Sequence, residues 1–338
     1  MLRGFSKIVA ASALALGGAG LLAGPAIAQS SFPTRRIEVI YPWTPGTPTY
    51  AVSQIIANAM GNNLGVNMPV VAKTGASGVN AFDQALAQPA DGYSVIDGYV
   101  APLVISPLFK KANWNCGDFV PLYSATSNAF AVVSRADEKR WTDFPSFIKY
   151  LKAHPGKTRY TASAQLSLPH MVMAKVLKTV GAVARNVPYN DLADGTKDLR
   201  SGLLDWMVVN PGIYRANKKE FRVLAVLSGL KEVSKIYDGA KRAQDYGVDI
   251  GLHSLAPMGW DWWLVKKGTP APVVAKLRAA MGKALAEPAV HNKILQIGFV
   301  PTSYKPDQYS KVCTSVRQQL QAAMGAITWE TNELKKYH

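Results

Sequence analysis

Thr44, Thr47 and Thr49 lie in a Pro/Gly-rich run bounded by Trp43 and Tyr50, where a β-branched strand meets a helix. The helix is legible from Val52, Ile55, Ile56, Ala59 and Met60, which recur at helical spacing. Such a junction exposes orphan backbone N–H groups at the positive end of the helix dipole, and these favour an anion. The run lacks the lysine of a phosphate-cradling loop and the G-x-G-x-x-G of a dinucleotide site. The chemistry it suits is a small carboxylate seat built from backbone. Taken alone, the segment is equally an ordinary strand-to-helix turn, which is the simpler alternative.

Catalytic and metal-binding patterns are absent from the sequence. No G-x-S-x-G elbow supplies a serine nucleophile. His154, His170, His253, His291 and His338 include no H-x-x-x-H pair, and no Cys/His cluster has zinc-ligand spacing. No catalytic residue, metal or cofactor is therefore expected. Asp261, between Trp260 and Trp262-Trp263, reads as a turn within an aromatic strand. Cys116 and Cys313 are the two cysteines. A disulfide between them suits an oxidising compartment. A buried free thiol is the alternative, because Cys313 falls on an apolar helical stripe with Tyr309, Val312, Val316 and Leu320.

That compartment is indicated by the N-terminus. Arg3 and Lys7 precede an apolar core at 8–22, and Ala26-Ile27-Ala28 has the small-x-small pattern of a signal-peptidase site. The apolar core is shorter than the ~20 residues that span a bilayer. Residues 1–28 read as a cleaved signal peptide and the mature chain as a periplasmic protein. The formal charge of +16 falls by two when Arg3 and Lys7 leave. The remaining Lys and Arg are scattered, with pairs such as Lys110-Lys111 and Lys218-Lys219 as the densest runs. No nucleic-acid signature accompanies them, so the charge reads as a solvated cationic surface that mildly attracts anions.

The elements that must position a site alternate strand and helix. Strand-like runs at 69–72, 93–97, 129–133, 159–162, 183–187, 204–209 and 222–227 are separated by amphipathic helical runs. The pattern predicts an α/β protein with parallel sheets, whose ligands sit beyond the carboxyl ends of the strands. After an aromatic strand at 260–265 the tail is helical, with one long final helix predicted from Pro306-Asp307 toward Leu334. No Ser/Gly/Pro linker divides the chain, which suggests two lobes crossed more than once, as in a hinged clamp.

The chain resembles the substrate-binding proteins of tripartite tricarboxylate transporters, the large bordetellae uptake family. Tyr41-Pro-Trp-Thr-Pro-Gly46 is similar to the family's P-F-x-P-G-G loop, Val71-Ala-Lys-Thr-Gly-Ala-Ser-Gly78 to its N-R-P-G-A-G-G segment, and Pro89-Ala-Asp-Gly-Tyr-Ser94 to its P-D-G-Y-T. Asp118-Phe-Val-Pro121, His154-Pro-Gly-Lys157, Val187-Pro-Tyr189 and Gly268-Thr-Pro270 follow in the family's order. The resemblance implies a periplasmic binding protein of type 2, with two α/β lobes and a hinged interlobe cleft. It places 30–130 and 252–338 in lobe one and 131–251 in lobe two, with crossings near 129–133 and 252–257. It also implies a small carboxylate ligand, delivery to the integral-membrane subunits of the transporter, and a monomeric, non-enzymatic protein. Sensing for a membrane receptor, or a secreted enzyme acting on a small acid, are the alternatives. The chain departs from the family at Thr47 (usually Gly), Tyr50 (usually Asp) and Trp43 (usually Phe), and Pro48 deletes an N–H donor.

In the implied cleft one wall runs from Trp43 to Tyr50. Thr44, Thr47 and Thr49 offer hydroxyls, and Gly46 lets a ligand approach the backbone. Trp43 and Tyr50 would give an aromatic face suited to an aromatic acid, unless both rings pack on their own lobe. Opposite, Tyr160-Thr-Ala-Ser-Ala-Gln-Leu-Ser-Leu-Pro-His170 resembles the family's Y-G-S-x-G-x-G-S-x-x-H loop, with Ser163, Gln165 and Ser167 as donors. His170 either contacts the ligand or caps its helix. Tyr189, Asn210, Gly98 and Tyr99 complete the candidate pocket. Asp205 is read as facing structure, and Lys73 and Arg185 are the nearest cations.

Overall fold

Short runs rich in Val and Ile become the strands of two sheets. A computed structural model of the protein describes residues 32–127, 129–229, 231, 233–249, 260–302 and 304–337. The leader at 1–28, the crossing at 252–257 and His253 lie outside the described residues. The chain from Pro33 onward forms one unit. Its strands are β1 (Glu38–Tyr41), β2 (Val70–Ala72), β3 (Ser94–Tyr99), β4 (Phe119–Ser127), β5 (Ala131–Arg135), β6 (Arg159–Thr161), β7 (Arg185–Asn186), β8 (Trp206–Val209), β9 (Phe221–Val226), β10 (Trp260–Lys266) and β11 (Val300–Pro301). Its helices are α1 (Pro48–Leu64), α2 (Val79–Ala87), α3 (Ser106–Leu108), α4 (Phe144–Ala153), α5 (Leu168–Val180), α6 (Thr196–Ser201), α7 (Pro211–Ala216), α8 (Val233–Ile236), α9 (Ala271–Ala286), α10 (Pro288–Ile297), α11 (Tyr309–Ala323) and α12 (Gly325–Leu334).

Among the described residues one sheet has the order β11-β4-β10-β3-β1-β2 and the other β7-β6-β8-β5-β9. Each sheet anchors one lobe. The sheets are mixed, where the sequence predicts parallel ones. β1 runs parallel to β2 and β3, but β10 is antiparallel to β3 and β4, and β5 is antiparallel to β8 and β9. A parallel neighbour needs a crossover connection; β5 instead follows β4 directly from the other sheet.

Aromatic side chains fill both cores. In the first lobe Phe82 stacks on Trp114 and meets Phe119 edge-on. In the second, Tyr160 stacks on Trp206, which Phe147 meets edge-on. Asp261 is not in a turn. It lies within β10, opposite Tyr99, and accepts from Thr126 N–H (2.8 Å) and Oγ1 (2.9 Å). The predicted final helix is two, α11 and α12. α11 is tied to the first lobe through Cys313, which pairs with Cys116. α12 packs on α5 of the second lobe. The sequence reading carries this last segment with lobe one; the buried Glu330 fixes it to lobe two instead, accepting from Tyr160 Oη and His170 Nε2.

Candidate functional site

Three helices begin at the cleft, each capped by a short polar side chain with Pro at the first or second position. Thr47 Oγ1 accepts from Tyr50 N–H (3.4 Å) at α1, Ser167 Oγ from His170 N–H (3.3 Å) at α5, and Asn210 Oδ1 from Ile213 N–H (2.9 Å) at α7. Pro48 therefore costs little as a missing donor. It stands at the first helical position, where the N–H has no intrahelical partner in any case. The N–H groups of Thr49 and Leu168, just inside their caps, make no hydrogen bond to the described residues, so they are available to a ligand.

Between these helix ends lies a cavity of about 60 Å³. Trp43, Thr49, Tyr99, Val100 and Ala101 line it from the first lobe, with Phe130 at the crossing. Ser163, Ser167, Leu168, Pro169, Asp191, Leu192 and Asn210 close it from the second. Among the described residues no Lys or Arg is on its wall; Lys73 and Arg185 lie elsewhere. Trp43 meets Tyr99 edge-on at 5.7 Å, forming an aromatic side. Outside is a wider opening of about 520 Å³ lined by Ser77, Gln165, Tyr189, Asn190 and Asp194, among others. Contacts across its rim hold the lobes together: Ser77 Oγ donates to the Gln165 carbonyl, and Thr44 Oγ1 to Asp194 Oδ2 at 3.5 Å.

Of the residues proposed from sequence, Trp43, Thr49, Tyr99, Ser163, Ser167 and Asn210 meet at the inner cavity, and Gln165 and Tyr189 at the outer opening. Others have different work. Thr47 caps α1 and donates to the Thr44 carbonyl at 3.0 Å. Tyr50 turns into its own lobe, donating to the Val70 carbonyl (3.1 Å) and packing on Tyr41. Gly46 supplies a left-handed turn at φ +79° and Gly98 a close packing of β3 against β10, where a Cβ would meet Trp262 O at 2.8 Å. His170 is fully buried behind the loop, its Nδ1 accepting from Leu166 N–H (3.2 Å) and its Nε2 facing Glu330 at 2.9 Å. It neither reaches the cleft nor caps its helix by its side chain. Asp205 faces structure, accepting from Arg159 N–H (2.7 Å) and paired with Arg140.

The main residue that sequence reasoning missed is Asp191. Its Oδ1 accepts from Ala193 N–H (2.9 Å), so in the sequence it resembles a turn-capping Asp. Burial pushes its carboxyl up to about 6, with Asp194 adding to the rise and the Ala193 N–H opposing it. Behind Tyr99, Asp97 and Asp261 face each other in the sheet, both buried. Burial and the neighbouring Asp261 hold the Asp97 carboxyl well above the usual range. Asp97 keeps the proton of the pair, since Thr126 donates twice to Asp261 and stabilises its charged form.

Two α/β lobes crossed by the chain, with helix N-termini facing a central cleft, define a solute-binding protein of the periplasmic-binding-protein class. Residues 52–328 match the family described as the tripartite tricarboxylate transporter family receptor, TctC, and the chain belongs to that family. A relative from Pseudomonas sp. strain P51, a UPF0065 protein encoded between tcbD and tcbE, is 26% identical over 319 residues, covering 89% of this chain and 92% of its own. The solved structure of the periplasmic binding protein BugD superposes with a TM-score of 0.76 at 23% identity, covering 87% of this chain and 98% of its own. A Rhodopseudomonas palustris protein solved with adipate superposes with a TM-score of 0.78 at 22% identity, covering 88% and 99%.

Proposed function

We propose that this protein captures a small carboxylate in the inner cavity and delivers it to the integral-membrane subunits of a tripartite tricarboxylate transporter. One observation carries the reading: N-termini of helices from opposite lobes, α1 and α5, open onto one cavity that, among the described residues, has no Lys or Arg on its wall. Their free N–H groups at Thr49 and Leu168, with the Ser163 hydroxyl and the Asn210 amide, are the donors for the carboxylate. Trp43, Tyr99, Phe130 and Leu192 enclose an apolar body. The aromatic side is Trp43 with Tyr99, not Trp43 with Tyr50, and it keeps a planar aromatic acid among the ligands to be tested. The R. palustris protein of the same fold was solved with an aliphatic dicarboxylate, adipate. The protein acts as a monomer in the periplasm after cleavage behind Ala28, and binds rather than transforms its ligand.

A thermal-shift screen of the mature protein against aliphatic and aromatic mono-, di- and tricarboxylates tests this. A ligand at a hundred times its Kd stabilises the folded form by about 2.7 kcal/mol. At least one acid is expected to raise Tm and, if aromatic, to quench the fluorescence of Trp43. A screen in which neutral ligands raise Tm and no acid does would refute the carboxylate reading.

A further inference from the structure

Asp191 stands on the cavity wall at 7% exposure, beside Leu192 and opposite Thr49 and Tyr99. Its Oδ1 is taken by Ala193 N–H, but its Oδ2 has no hydrogen-bond partner among the described residues. The charged neighbour on its own loop is another acid, Asp194, whose Oδ2 accepts from Asp191 N–H at 3.0 Å. From the facing lobe come the phenols of Tyr41 and Tyr99, with Asp97 behind them. Tyr41 Oη is already engaged with Thr49 Oγ1 at 2.6 Å. An acceptor oxygen on a largely buried side chain at a cavity wall takes its donor from whatever fills the cavity. The cavity is therefore bipolar. The helix ends favour negative charge, and the Asp191 carboxyl oxygen repels a second carboxylate that comes next to it.

We propose that the ligand is a small carboxylate carrying a hydrogen-bond donor, a hydroxyl or an ammonium group, on the atom that faces Asp191, and that Asp191 selects it over the unsubstituted acid. This rests on the carboxylate reading of the same cavity. A site built around a buried polar group discriminates strongly against the analogue that leaves that group unpaired.

Calorimetry on the mature protein at pH 8, where Asp191 is ionised, tests the idea. The probes are sets of acids with two to six carbons, each comprising the unsubstituted acid, its α-hydroxy acid and its α-amino acid; succinate, malate and aspartate form one set. Wild type is expected to bind a donor-bearing member at least about tenfold more tightly than its parent. Asp191→Asn, which keeps an acceptor for Ala193 N–H, should bring the ratio close to one; Asp191→Ala serves if the amide misfolds. The better of the hydroxy and amino members identifies the donor. A parent acid that binds as tightly as its derivatives, or a preference that survives both substitutions, overturns the assignment of Asp191 and leaves the carboxylate reading standing. If acids of every set fail to bind, the carboxylate reading falls and takes this inference with it.

Discussion

Asp97 shows how a buried group contributes to the pH response of the molecule. One of its oxygens accepts from Ser53 Oγ, and the other faces Asp261 deep in the sheet behind the cavity. Its folded pKa is raised, so the folded state holds a proton that the unfolded chain releases at ordinary Asp pH. The associated stability is fully present below the unfolded pKa and is lost as pH rises through the folded pKa. Stability should therefore fall on the alkaline side of the ordinary Asp range by at most about 1.4 kcal/mol per pH unit from this group. Asp97→Asn, which keeps the shape and the proton donor, should flatten the dependence of Tm on pH. Thermal unfolding at a series of pH values reads this directly; a slope identical to wild type would remove Asp97 as its source.

Among the elements, α7 is the one on which close approach of the lobes depends. A Cβ on Gly212 would lie 2.4 Å from Pro48 Cβ and 2.9 Å from the Phe299 ring, so only glycine lets the start of α7 touch the start of α1. Gly212→Ala improves helix propensity by about 1 kcal/mol, yet it wedges the two caps apart. The variant should remain folded, with a larger radius of gyration by small-angle scattering in the absence of ligand. An unchanged radius would mean that this contact does not hold the free protein closed. The loop before α5 is a second case. Ser163 and Leu166 both adopt positive φ, +69° and +63°, although neither is glycine. That costs of order 1 kcal/mol each and turns Ser163 toward the cavity while Leu166 N–H meets His170.

At the scale of the whole molecule, the C-terminal helices act as a strap. α11 is fastened to the first lobe by Cys116–Cys313, and α12 to the second by Glu330, so the two lobes are joined by more than the strands that cross between them. The bridge closes a loop of sequence separation 197, for which chain entropy gives about 5 kcal/mol. Replacing both cysteines by Ser should lower Tm by on the order of 10 °C. Titration of the denatured, unreduced protein should find no free thiol; two would abolish the bridge and this prediction together.

Much of the fold is written in local patterns. The apolar periodicity of 52–60 and the alternation of strands and helices act within a few residues, so the α/β class is legible in the chain. The ordered motifs from Tyr41 to Gly268 indicate the family. What a side chain faces is not local. Trp43 and Tyr50 look alike in sequence, yet one lines the cavity and the other turns into its own lobe. His170 looks like a ligand residue and instead holds Glu330, 160 residues further along. Asp191 resembles a turn cap and is one, yet it also stands on the cavity wall. The antiparallel setting of β5 and β10 and the crossing of α12 to the second lobe were likewise decided only by the tertiary structure. Direction and burial depend on which distant segments pack together, and a chain read one neighbourhood at a time carries no record of that.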